Sequence, residues 1–126
     1  MKTFIIAIIL LTIIVIGSLS YIYFVNHITG PMISKLENLE DFVMAGDWSA
    51  AKTQLDTLQQ RWEKTKGWMM AFIGHAELDE IQISLSRMHQ YVHFEDTKDF
   101  MSESGVLKLL LQNIADKERV TLPNLF

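Results

Sequence analysis

The chain has 126 residues, 11 Lys and Arg against 15 Asp and Glu, a net charge of −4 and no cysteine. The negative balance argues against nucleic-acid binding, which rests on neutralising phosphates, and against a polybasic hold on anionic lipid. The lack of cysteine excludes structural disulfides and a lipidated-cysteine anchor.

Taken from the N-terminus, residues Phe4 to Val25 carry no charged side chain, and every acidic residue follows them. As a helix rising about 1.5 Å per residue, this run spans roughly 33 Å, enough to cross a hydrocarbon core of about 30 Å. Residues 4–25 are therefore the expected membrane contact. Residues 1–26 read as an uncleaved transmembrane signal-anchor and residues 27–126 as a soluble helical domain with an apolar C-terminal tail. Ser18 and Ser20 also fit a cleavage site, and a cut after Ser20 would release a secreted protein. The apolar run continues through Tyr21, Ile22, Tyr23, Phe24 and Val25, which favours the anchor, with the tyrosines as an interfacial belt. Lys2 on the short flank places the N-terminus inside and the domain outside the cytoplasmic membrane.

The soluble part is striped at helical spacing throughout. Met32, Leu36, Leu39 and Val43 form the first stripe, and Trp48, Ala51, Leu55, Leu58 and Trp62 the second. The third is Leu78, Ile81, Leu85, Met88 and Val92, and the fourth Phe100, Ser104, Leu107, Leu111 and Ile114. Steps of three and four with no period-two run predict an all-α fold. The expected architecture is an N-terminal transmembrane helix followed by a small four-helix bundle of two hairpins, 31–45 with 48–66 and 76–94 with 100–116. Gly30-Pro31 opens the first soluble helix or kinks a continuous one. Gly46 is placed to end that helix and Asp47 to cap the next. Thr97 or Ser102 is expected to cap the last helix, and Pro123 to lie beyond its end. The tail Val120 to Phe126 is expected to dock back on the bundle.

Candidate sites are few. His89 and His93, four apart, share a helix face and are the metal candidates, but two ligands do not make a structural zinc site, so no metal or other cofactor is expected. His75, Glu77 and Asp79 include acid–base side chains, yet no nucleophile and oriented base accompany them. The acids serve better at the start of a helix, where they complement its dipole. The chain is read as a non-enzyme. Trp68, Met69, Met70, Phe72 and Ile73 form a short apolar run bracketed by Gly67 and Gly74. It reads either as a buried link between the hairpins or as a contact for a partner or for the outer leaflet.

The layout of a Met-Lys start, the long Ile-rich anchor, the Gly46-Asp47-Trp48 turn, Trp62-Glu63-Lys64 followed by Trp68, and the stretch His75 to Met88 resembles a family. That family comprises short single-span membrane proteins, mostly from Firmicutes, known as a domain of unknown function. The resemblance implies a Gram-positive membrane setting and a membrane-protein partner, and it carries no catalytic residues. The functional expectation is a membrane-anchored, extracytoplasmic interaction or accessory protein that binds another envelope protein. The alternative is a ligand- or metal-sensing domain.

Overall fold

The computed structural model describes the backbone of residues 1–71 and 73–125 and the side chains as far as Asp116, Phe72 excepted. Four α-helices follow one another: α1 Lys2–Met44, α2 Trp48–Met69, α3 His75–His93 and α4 Thr97–Leu125. No strand occurs among the described residues. Each helix packs against two others, α1 on α2 and α4, α3 on α2 and α4, while the diagonals α1–α3 and α2–α4 do not touch. This is an up–down–up–down ring, the packing expected of antiparallel neighbours joined by short loops.

The stripes form its core. Leu36, Leu55, Leu58, Trp62, Ile81, Leu85, Phe100 and Leu107 are all buried, and Ser104 is buried with them. Trp48 is half-buried at the rim.

The first helix corrects the expected layout. The anchor and the first bundle helix are one 43-residue element with Pro31 inside it, about 65 Å long. The reason lies in the stripe. Val25, Thr29, Met32, Leu36, Leu39 and Val43 are all buried, and their steps of four and three run unbroken across Pro31. Core packing on both sides of the proline outweighs the hydrogen bond it removes. The core therefore reaches back to Val25. Upstream of residue 21 the helix surface is mostly exposed, Phe4, Ile9, Leu11, Ile14 and Leu19 among it.

The two links at the far end are alike. At the end of α1, Gly46 adopts φ 76°, its N–H bonds the Val43 carbonyl at 3.0 Å and Asp47 N–H bonds that of Phe42 at 3.0 Å. That is a Schellman motif. Asp47 then caps α2, accepting from Ala50 N–H at 3.2 Å, as its position before Trp48 predicts. At the end of α3 the pattern recurs with Glu95 at φ 53°, Glu95 N–H on Val92 at 3.2 Å and Asp96 N–H on Tyr91 at 2.8 Å. Asp96, rather than Thr97 or Ser102, caps α4 through Asp99 N–H at 3.1 Å.

The fourth helix runs past the expected end, through Pro123 to Leu125. Proline so near a terminus removes a single hydrogen bond, and Lys117, Glu118 and Arg119 before it are good helix formers. Whether the tail docks is a question for side chains outside the described residues.

Candidate functional site

The ring has two ends, and the expected site residues divide between them. The Gly46 and Glu95 links mark the far end. The near end holds the link between α2 and α3 and lies beside Phe24, where the exposed stretch of α1 begins.

At the near end Trp68 leaves α2 and stacks on Phe24, ring centroids 4.1 Å apart and planes at 22°. One turn away Tyr23 stacks on His27 at 6.0 Å. The apolar run after Gly67 is split by this arrangement. Met69 is fully buried and Ile73 is 5% exposed, while Trp68 and Met70 are 39% and 40% exposed. Phe72 lies outside the described residues. The run is thus both a link and a surface: two members plug the end of the core and two stand at its rim. The sequence could not show that Trp68 would meet Phe24, a contact between residues more than forty apart.

Two hollows share the stacked pair. One, of about 500 Å³, runs along α1 past Gly17, Ser18 and Tyr21. The other, of about 250 Å³, lies between α1 and α2 and is lined by His27, Arg61, Lys64 and Thr65.

At the far end His89 and His93 line a polar hollow of about 550 Å³ with Trp48, Lys52 and Glu95. His89 Nδ1 lies 3.8 Å from Asp56 Oδ1, and His93 meets the Phe94 ring edge-on at 5.0 Å. No set of three or more His, Asp or Glu placed to hold a metal occurs among the described residues. Lys52 beside the histidines disfavours a cation further. At the start of α4 the Asp99 carboxyl is raised from its ordinary value, first by its hydrogen bond with Asp96 and then by the charge of that neighbour.

His75, Glu77 and Asp79 stand in the first turn or so of α3, where the acids complement the helix dipole. Polar contacts that cross between helices act as pins. Ser104 donates to Glu40 at 2.7 Å, and Lys108 pairs with the same Glu40 oxygen at 2.7 Å. Arg87 reaches Glu103 at 3.6 Å. Together they tie α4 to α1 on one side and to α3 on the other.

The fold is thus an all-α four-helix ring, with one helix extended into a long apolar rod that is a candidate membrane span by length and composition. The chain matches the family described as a domain of unknown function, DUF4363, over residues 19–125, and it belongs to that family. The match begins two residues before Tyr21, a partly buried side chain that packs against the bundle core. No curated protein and no solved structure matches the chain.

Proposed function

We propose that this protein is a membrane-anchored accessory protein, a binding rather than a catalytic molecule, that presents its bundle on the outer face of the cytoplasmic membrane to another envelope membrane protein. The observation that carries this reading is the continuity of α1. The same helix is apolar and exposed over its first twenty residues and striped and packed from Val25 onward. A rod of that kind fixes the bundle against the bilayer surface, with no slack linker between anchor and domain. Lys2 before the apolar run supports the outward orientation. A partner surface is suggested by Val106 and Leu109, exposed apolar residues three apart on α4. Membership of Gram-positive bacteria and retention of the anchor uncut at Ser20 belong to the same proposal.

The test has two parts. A reporter active only outside the cytoplasm, fused after Phe126, should be active, and the membrane-bound protein should still contain Lys2. Photo-crosslinking residues placed at Val106 and Leu109 should yield one discrete larger adduct in native membranes. Cytoplasmic reporter activity alone would reverse the topology, and absence of any adduct at both positions would remove this partner surface.

A second reading is ligand sensing, favoured by the hollow beside His89 and His93. Under the accessory reading, chelator leaves the melting temperature unchanged and His93→Ala is near neutral. A melting temperature that climbs with added zinc would favour sensing instead.

A further inference from the structure

We propose that the near end of the bundle is a binding site for an anionic phospholipid of the bilayer in which α1 stands. The proposal rests on the reading of α1 as a membrane span.

The two hollows that share Phe24 and Trp68 differ in chemistry as the two parts of a lipid do. The hollow toward the N-terminus is apolar and open. Gly17 leaves a bare stretch there, since a Cβ on it would meet nothing within 4 Å. From Phe24 back to Ile14 the groove follows about 15 Å of helix, the depth of one leaflet. An acyl chain fits such a slot. The hollow toward the bundle holds Arg61, Lys64 and His27 and no carboxylate. Among the described residues neither Arg61 nor Lys64 forms an ion pair. Between the hollows stands the Phe24–Trp68 stack, and tryptophan prefers the headgroup level of a bilayer. Acyl slot, aromatic girdle and unpaired cations therefore follow one another along α1 in the order that a phospholipid presents chain, glycerol and phosphate.

Charge placement supports a negative headgroup over a zwitterionic one. The chain as a whole is acidic, so its net charge repels an anionic surface. The sequence signal is hidden because α2 separates its charges by side. Glu63 faces α3, through Gln59, which bonds both Glu63 at 3.1 Å and Gln82 at 3.5 Å. Arg61 and Lys64 face α1. Glu77, Asp79 and Glu80 belong to α3, which does not touch α1. A local basic groove thus survives in an acidic protein. Two cations at a membrane surface, each contributing about a fivefold gain in affinity, give a preference of about tenfold or more for anionic lipid.

The test uses the full chain in phosphatidylcholine vesicles doped with brominated phosphatidylglycerol or, at equal mole fraction, brominated phosphatidylcholine. Bromine quenches tryptophan only at short range, and Trp68 is the tryptophan at the near end. Brominated phosphatidylglycerol is expected to quench about tenfold more effectively. Arg61→Gln with Lys64→Gln, both exposed and so compatible with folding, should bring the two lipids level, and Trp68→Phe should abolish the lipid-dependent signal. Inorganic phosphate should not compete. Insertion with equal quenching by the two lipids overturns this inference alone, as does competition by free phosphate. Failure to insert, with no quenching by either lipid, overturns the anchor and the lipid site together.

Discussion

The two halves of α1 share one backbone and differ in every other respect. Residues 4 to 20 are uncharged and mainly apolar on all sides and exposed on nearly all of them. From Val25 to Val43 the apolar side chains are confined to one stripe, and Glu37, Asn38 and Asp41 occupy the opposite face. A helix that is apolar all round suits burial on every side, in a membrane or in a protein core, and one that is apolar on a stripe suits packing on other helices. The same hydrogen-bond ladder serves both. What changes along the rod is the solvent for which its side chains are suited, and the change falls at Tyr21 to Val25, where Trp68 returns from α2 to meet Phe24.

The comparison is broken most directly by the same substitution made in each half. Leu36→Ala removes a fully buried side chain and should cost about 2–5 kcal/mol, as large-to-small core changes do. Leu10→Ala lies on the exposed half and should leave bundle stability within about half a kcal/mol. Denaturant unfolding of the full chain in mild detergent, followed by circular dichroism, measures both. Equal losses would mean that the first half also packs on protein.

The next effect tests the join. Pro31 deprives the His27 carbonyl of its partner, and proline within a helix is about 3 kcal/mol less favourable than alanine. Because the stripe is continuous across it, Pro31→Ala should stabilise the chain, by about 1–3 kcal/mol. A loss of stability would show that the two halves need a bend at this point, and that the rod is aimed into the bundle by its proline.

Most of this arrangement is legible before folding, and the exceptions share a cause. The four stripes identify the core because burial and helical period are written in the same residues. Gly46-Asp47 identifies a turn because glycine is the residue that takes a positive φ without strain. What escapes are features decided by competition or by distance. Gly30-Pro31 reads either as a helix start or as a kink in a continuous helix, and only extending the stripe back to Val25 decides for the continuous one. The Glu95 turn carries no glycine, so its left-handed residue leaves no mark. The near-end groove is assembled from α1 and from the last turns of α2, and net charge averages its cations away. The histidine pair, conspicuous in sequence, lines a hollow with Trp48, Lys52 and Glu95, neighbours that its own spacing does not announce.

A smaller effect concerns the face that the striped half turns to α4. Ser104 is fully buried, and its hydroxyl donates to the charged Glu40 at 2.7 Å. Ser104→Ala should cost about 1–2 kcal/mol, since hydrogen bonds to charged groups exceed neutral ones. In a background of Glu40→Gln the same change should cost less, and a double-mutant cycle reads the difference. Strict additivity would show that the hydroxyl is accommodated by packing and that Glu40 is held by Lys108 alone.

The smallest effect lies where the striped half ends. Gly46 and Glu95 occupy equivalent places in matching Schellman turns, with φ 76° and 53°. Only one is the residue that this backbone prefers. A side chain at positive φ costs roughly 1 kcal/mol, because Cβ approaches the neighbouring carbonyl. Space is not at issue at Gly46, where a Cβ would meet nothing within 4 Å, so any penalty there is conformational. Gly46→Ala should therefore destabilise the chain by about 1 kcal/mol, and Glu95→Gly should stabilise it by a similar or somewhat smaller amount, since glycine also gains freedom in the unfolded chain. Thermal melts of the two variants in the same detergent should move in opposite directions. Shifts in the same direction would mean that the links are not equivalent, and that Glu95 contributes through its side chain at the rim of the histidine hollow, where it faces Lys52 and His93. Glu95→Asn separates the two accounts. Asparagine tolerates the left-handed region and carries no charge, so it should match or exceed glutamate if conformation alone decides, and fall below it if the carboxylate does.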